Sequence, residues 1–203
     1  MHFSTVFAAS ALMGSALAAD HSVKVGGNNG ELKFEPAVIN ATEGDTVTFK
    51  FWPKNHSVAQ AAFANPCEPM DNGFWSGYIP SSLNAAEESF MIEVTNTSKP
   101  IWFYCTQGKH CQQGMVGVIN GQANGTGNTL QRFISAASSK QNNVAPSSTA
   151  GTGGMIMGAN ESMTPSSSAS GAGASNTGAA STLEISRGVV FSGLLGMFGY
   201  LLV

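Results

Sequence analysis

One stretch of the chain concentrates side chains that bind soft metals. Tyr104-Cys105-Thr106-Gln107-Gly108-Lys109-His110-Cys111-Gln112-Gln113-Gly114-Met115 holds cysteine, histidine and methionine within the eleven residues from Cys105 to Met115. A second histidine stands upstream, in Asn55-His56-Ser57-Val58. Two imidazoles, one thiolate and one thioether make the donor set of a blue copper centre. Thiolate and imidazole hold both oxidation states of copper, and a weak axial thioether tunes the potential. Four bound donors leave no position for a substrate, whereas a catalytic metal keeps one open. The chemistry expected of such a set is outer-sphere electron transfer rather than catalysis.

Taken singly, each of these residues has an ordinary explanation. His56 could be a hydrogen-bonded loop residue, Met115 a core side chain, and Cys105, in Ile-Trp-Phe-Tyr-Cys, a buried apolar thiol. Their joint occurrence at these spacings argues for a metal. The cysteine count adds to it. Cys67, Cys105 and Cys111 are an odd number. A secreted chain keeps disulfides, so one thiol is left over, a liability outside the cell unless something binds it.

The elements that must position these side chains read as strands. Val47, Phe49 and Phe51 alternate with Thr46, Thr48 and Lys50, and Phe90, Ile92 and Val94 alternate with Met91, Glu93 and Thr95. A period of two marks a half-buried strand. Further short runs are Ser22–Val25, Leu32–Phe34, Ala37–Asn40, His56–Ala62, Pro100–Cys105 and Met115–Asn120, with turn signals such as Gly26-Gly27-Asn28-Asn29-Gly30 between them. About seven short strands predict an all-β sandwich. Thr129–Ser138 is a candidate short helix, and Ser82–Glu87 a loop or helical turn. Phe74 and Trp75, in a glycine-flanked loop, are expected in the core, with a cover or docking surface for the site as the other reading.

Here the sequence resembles a known family. His56 followed by Cys105-x4-His110-x4-Met115 is similar to the type 1 copper signature of the cupredoxins. Gly108-Lys109-His110-Cys111-x-x-Gly114-Met115 is most similar to the plant phytocyanins. The resemblance covers about residues 22–121 and implies a Greek-key sandwich holding one type 1 copper on His56, Cys105, His110 and Met115. It further implies that Cys67 pairs with Cys111. The rival Cys105–Cys111 link would close a tight loop and leave Cys67 free. The implied bridge closes a loop of about 45 residues, worth roughly 4 kcal/mol in the chain-entropy description.

Both ends read as addresses. Residues 1–19 are apolar or small after Met1-His2, without Lys or Arg, and end in Ala16-Leu17-Ala18-Ala19. This is the pattern of a secretory leader cut after Ala18 or Ala19. Between positions 141 and 180, 27 of 40 residues are Ser, Gly, Ala or Thr. Such composition cannot bury enough apolar surface to offset ordering. The domain is therefore expected over 20–137 and a Ser/Thr/Gly/Ala-rich stalk over 138–176. Asn176, a polar spacer and the apolar tail Val189–Val203 fit a GPI-anchor signal over 177–203. This layout resembles fungal cupredoxin-like, serine-rich extracellular proteins. The sequons at Asn40, Asn96, Asn124 and Asn160 are glycosylation candidates, while the sequon at Asn55 adjoins His56. If the leader is cut after Ala18, Ala19-Asp20-His21 could itself wrap Cu(II) or Ni(II) in a square of nitrogens.

Charge excludes other classes. Nine basic and 12 acidic residues give a net charge of −3, and charged residues are only 10% of the chain. That leaves no basic patch to neutralise a phosphate backbone. There is no glycine-rich phosphate loop, no Ser-His-Asp arrangement and no persuasive carboxylate pair. Glu87 and Glu88 are adjacent and would face opposite sides of a strand. The expectation is a non-enzymatic, monomeric copper protein, tethered to the membrane by a GPI lipid. Its partner would be a redox protein or a cell-wall component. A structural or interaction module of the surface is the alternative.

Overall fold

The computed structural model describes residues 18–158. The expected GPI signal, Asn160 and Asn176 lie outside them, as does the expected leader up to residue 17. In chain order the elements are β1 (Asp20–Val25), β2 (Phe34–Glu35), β3 (Val38–Ile39), β4 (Thr46–Phe51), β5 (Lys54–His56) and β6 (Ala59–Ala61). They continue as β7 (Ile79–Ser81), β8 (Ser89–Glu93), β9 (Ile101–Tyr104), β10 (Val116–Ile119), α1 (Leu130–Ser138) and β11 (Met155–Met157). One sheet runs β11-β8-β4-β1-β2, the other β3-β10-β9-β6, and β5 and β7 form a separate two-stranded sheet. The fold is thus the expected β-sandwich with one short helix, built from more strands than seven. The expected strand His56–Ala62 is split: the chain leaves the two-stranded sheet after His56 and joins the second sheet only at Ala59.

Alternation places the core. Val47, Phe49 and Phe51 of β4 point inward with Val23 and Val25 of β1 and Phe90 and Ile92 of β8. From the facing sheet, Phe103 meets Phe49 edge-on at 5.3 Å between ring centroids. Such pairs add about 0.5–1.5 kcal/mol beyond the area they bury. The second sheet is covered on its other face too. Trp102, Tyr104, Val116 and Val118 turn outward and pack with Leu130, Phe133 and Ala137 of α1. Burial on both faces explains why Ile101–Tyr104 and Val116–Ile119 are apolar runs without alternation. Thr129 caps α1, its hydroxyl accepting from the Arg132 N–H at 3.3 Å.

The sandwich does not end at residue 137. Residues 138–158, expected in the stalk, are part of it. β11 pairs antiparallel with β8, Met155 opposite Met91. Thr152 O accepts from Trp75 N–H at 2.8 Å, and Cys67 O accepts from Val144 N–H at 2.9 Å. The composition read as unable to fold is suited to close approach instead. A Cβ on Gly153 would lie 2.9 Å from Phe74 Cα, and one on Gly154 would lie 2.5 Å from Met91 O. This segment gains its order chiefly from backbone hydrogen bonds to an existing sheet, with Met157 its one buried apolar side chain.

Candidate metal centre

β5 delivers His56 at its last residue, and the loop between β9 and β10 delivers the rest. β9 and β10 pair antiparallel up to Val116 opposite Tyr104. The next residues, Cys105 and Met115, still touch, with Cys105 N–H donating to Met115 O at 3.1 Å. Both side chains continue the inward face of their strands and are fully buried. The loop closes on itself: His110 O accepts from Met115 N–H at 2.9 Å, and Gln107 O accepts from His110 N–H at 2.9 Å. Gly108 and Gly114 take positive φ in these turns.

Three donor atoms converge. Cys105 Sγ is 3.4 Å from His110 Nδ1 and 4.0 Å from His56 Nδ1. The three donors all lie within 4.8 Å of one another. Met115 is buried beside Cys105 in the same core cluster. Cys105 is the free thiol among the described cysteines. Cys67 and Cys111 are joined, with Cα atoms 5.7 Å apart, and the bridge anchors the residue next to His110. The cysteine assignment implied by the resemblance is the one found.

Electrostatics match a site built for a cation with a thiolate. Burial, then the neighbouring His110, push the His56 imidazole down to about 4, so it is neutral and its lone pair free at ordinary pH. Burial, then Lys54, also lower His110. Burial pushes the Cys105 thiol up, opposed by hydrogen bonds from the Gln107 and Ser57 regions. A cation bound to the sulfur would stabilise the thiolate and release the proton to solvent. The donor set is soft, preassembled and closed, which fits copper.

Several supporting residues carry no sequence signal of their own. Ser57 is buried, its hydroxyl 3.8 Å from Cys105 Sγ and 2.8 Å from the Thr106 hydroxyl. Asn55 Nδ2 donates to Gln107 Oε1 at 3.0 Å, linking the two ligand-bearing segments. Asn143 Nδ2 donates to Cys105 O at 3.0 Å and Gly108 O at 3.1 Å, from the segment expected to be stalk. Gly26 was legible only as a turn residue. It stands against the His56 ring, where a Cβ would fall 2.5 Å from Nε2. Pro53 O lies 3.2 Å from the same nitrogen and orients the ring.

Phe74 and Trp75 do not cover the site as a docking surface. Phe74 packs in the main core against Phe49 and Phe90. Trp75 is 4% exposed and bridges Ala59 and Thr152. Asn40, Asn96 and Asn124 are exposed.

A β-sandwich that brings one free thiol and two imidazoles together has the make-up of a small metal-binding protein. Residues 21–121 match the copper binding proteins of the plastocyanin/azurin family. A probable GPI-anchored cupredoxin of Arthroderma benhamiae is 42% identical over 137 residues, 68% of this chain and 69% of that protein. An extracellular serine-rich protein of the same fungus is 37% identical over 122 residues, 60% of this chain and 46% of that one. Oxidized plastocyanin from Dryopteris crassirhizoma is 21% identical with a TM-score of 0.35, over 48% of this chain and 96% of that one. The chain belongs to the cupredoxins, the plastocyanin/azurin family. Members of this family bind one type 1 copper.

Proposed function

We propose that this chain is a cell-surface blue copper protein that transfers electrons or handles copper. His56, Cys105, His110 and Met115 are its ligands. The observation that carries this reading is the convergence of Cys105 Sγ with two imidazole Nδ1 atoms within 4.8 Å at the end of the core. Copper bound there supplies a one-electron couple. The chain's own residues do the rest. Cys105 and Met115 sit on paired strand ends, which would keep these donors in place whichever charge the metal carried. His56 is fully buried, whereas His110 is only half-buried, which makes its ring edge the exit for an electron. The names of the two fungal relatives, and the leader and anchor patterns at the chain ends, support the outer face of the plasma membrane or the wall as its place. With all four donors bound, no coordination position would remain for a substrate, which supports electron transfer or copper handling over catalysis.

Titrating Cu(II) into the metal-free protein tests this. One equivalent should raise an intense visible thiolate-to-copper band, absent from Cys105→Ala. A Cys67→Ala/Cys111→Ala protein should keep the band but be less stable by about 4 kcal/mol. A folded protein with a free Cys105 and no such band would sink the copper reading and favour an interaction module.

A further inference from the structure

Asp45, just before β4, is only 6% exposed, and donors surround its carboxylate. Oδ1 accepts from the Ala19 N–H at 2.8 Å. Oδ2 accepts from the Thr42 N–H at 2.8 Å and the Thr42 hydroxyl at 3.0 Å, and lies 3.1 Å from His21 Nε2. The hydrogen bond from Ala19, followed by those from Thr42 and His21, holds the carboxyl well below the usual carboxylate range. It is therefore charged, yet no Lys or Arg pairs with it among the described residues. A carboxylate this enclosed favours a cation beside it, and of the groups that touch it only the His21 ring and the Ala19 nitrogen, once it is a free amine, can carry a positive charge. Ala19 is gripped from its other end as well, its carbonyl accepting from Thr46 N–H at 2.8 Å.

Ala19 is also the residue at which the leader pattern ends. A cut after Ala18 places small residues, Ala16 and Ala18, at the two positions that matter. A cut after Ala19 would put Leu17 in one of them. We infer that the chain is cleaved between Ala18 and Ala19, and that the α-ammonium formed on Ala19 is the counter-ion of Asp45. The inference rests on reading residues 1–19 as a secretory leader. The step is a hydrolysis by a signal peptidase. Water adds to the Ala18 carbonyl carbon and the C–N bond breaks. Ala18 departs as a carboxylate, and the Ala19 nitrogen takes up protons to become an ammonium. A neutral amide donor becomes a charged one at the same place, and charge-assisted hydrogen bonds are roughly twice as strong.

The ion pair has a consequence for copper. Wrapping Cu(II) at Ala19-Asp20-His21 needs the amine, two backbone nitrogens and the His21 ring in one plane. The amine and the ring are both tied to Asp45, and β1 holds Asp20 and His21 extended along β4, Asp20 opposite Thr46 and His21 opposite Val47. Successive amides of a strand point to opposite sides. The mature end is withheld from adventitious metal, leaving the Cys105 centre to bind it.

The test begins with the protein released from the cell surface. Its N-terminal sequence should read Ala-Asp-His. A start at Asp20 would overturn the inference and leave the leader intact. A chain still carrying residues 1–18 would overturn the leader reading itself. The ion pair is then probed with cyanate, which carbamylates only the uncharged amine. The native protein beginning at Ala19 should react about tenfold more slowly than the same protein unfolded in guanidinium chloride, the effect of one unit on the amine's pKa. Asp45→Asn should abolish that protection. A form beginning at Ala18 keeps Asp45, serves if that variant fails to fold, and should react at the unfolded rate. Equal native rates for the Ala18 and Ala19 forms would rule the ion pair out.

Discussion

At the scale of single residues, glycines separate a steric role from a conformational one. Gly26 and Gly44 both adopt positive φ, 85° and 91°. A Cβ at Gly26 collides with the His56 ring, whereas nothing lies within 4 Å of one at Gly44. Gly44→Ala should therefore cost stability alone, about 1 kcal/mol. Gly26→Ala should cost as much and also push His56 off its position, weakening copper binding at least about tenfold, the ratio that corresponds to 1.4 kcal/mol. Equal copper affinity in the two variants, measured by chelator competition, would refute this. Asp45 makes a pH prediction. Its folded value lies below the ordinary 3.8, so the unfolded chain binds the proton more readily. The stability it contributes is complete above about pH 5 and drains away as the pH falls further. Acid unfolding of the metal-free protein should show this loss below about pH 5, and Asp45→Asn, facing the same Ala19, Thr42 and His21 groups, should lack that part of it.

At the scale of elements, α1 and the β9–β10 loop act independently. Phe133 of α1 is fully buried against Trp102, 4.8 Å between centroids, and against Phe63 at 5.8 Å. These contacts lie on the outer face of the second sheet, while Cys105 and Met115 continue its inner face. Phe133→Ala should destabilise by about 3–5 kcal/mol. The visible copper band of the folded variant should keep its wavelength. A shifted band would mean that α1 sets the site geometry through Tyr104 and Cys105. The helix was a candidate in the sequence over Thr129–Ser138, and the structure shows Leu130, Phe133 and Ala137 buried at helical spacing after a capping threonine. The split between β5 and β6 was not. His56–Ala62 has uniform strand character, and only the competition between pairing with β7 and the β9 sheet edge divides it.

At the scale of the whole molecule, the boundary of the domain decides how the site is held. Residues 139–157 cover the free edge of β8 through β11, and they hold the ligand loop through Asn143. An uncovered edge strand is open to pairing with another chain. Protein ending at Ala137 should melt lower than protein ending at Gly158 by about 5 °C or more, an effect of one to two kcal/mol. It should also aggregate more readily and bind copper more weakly. Identical melting curves would return the segment to the stalk.

The local pattern along the chain carried the donor types, their spacing and the alternation of the long strands. Each of these depends on residues close in sequence, and a strand's period or a ligand loop is written there directly. The odd cysteine count announced a free thiol but not which one. That followed from the resemblance and is settled by Cys67 meeting Cys111 across the fold. Tertiary structure alone seated Gly26 against His56, Asn143 beneath the ligand loop and Ala19 on Asp45. It alone drew a glycine-rich segment onto the sheet. Those contacts join residues far apart in the chain, through backbone groups that every residue shares and through space that a missing side chain leaves. Neither leaves a mark in composition or period.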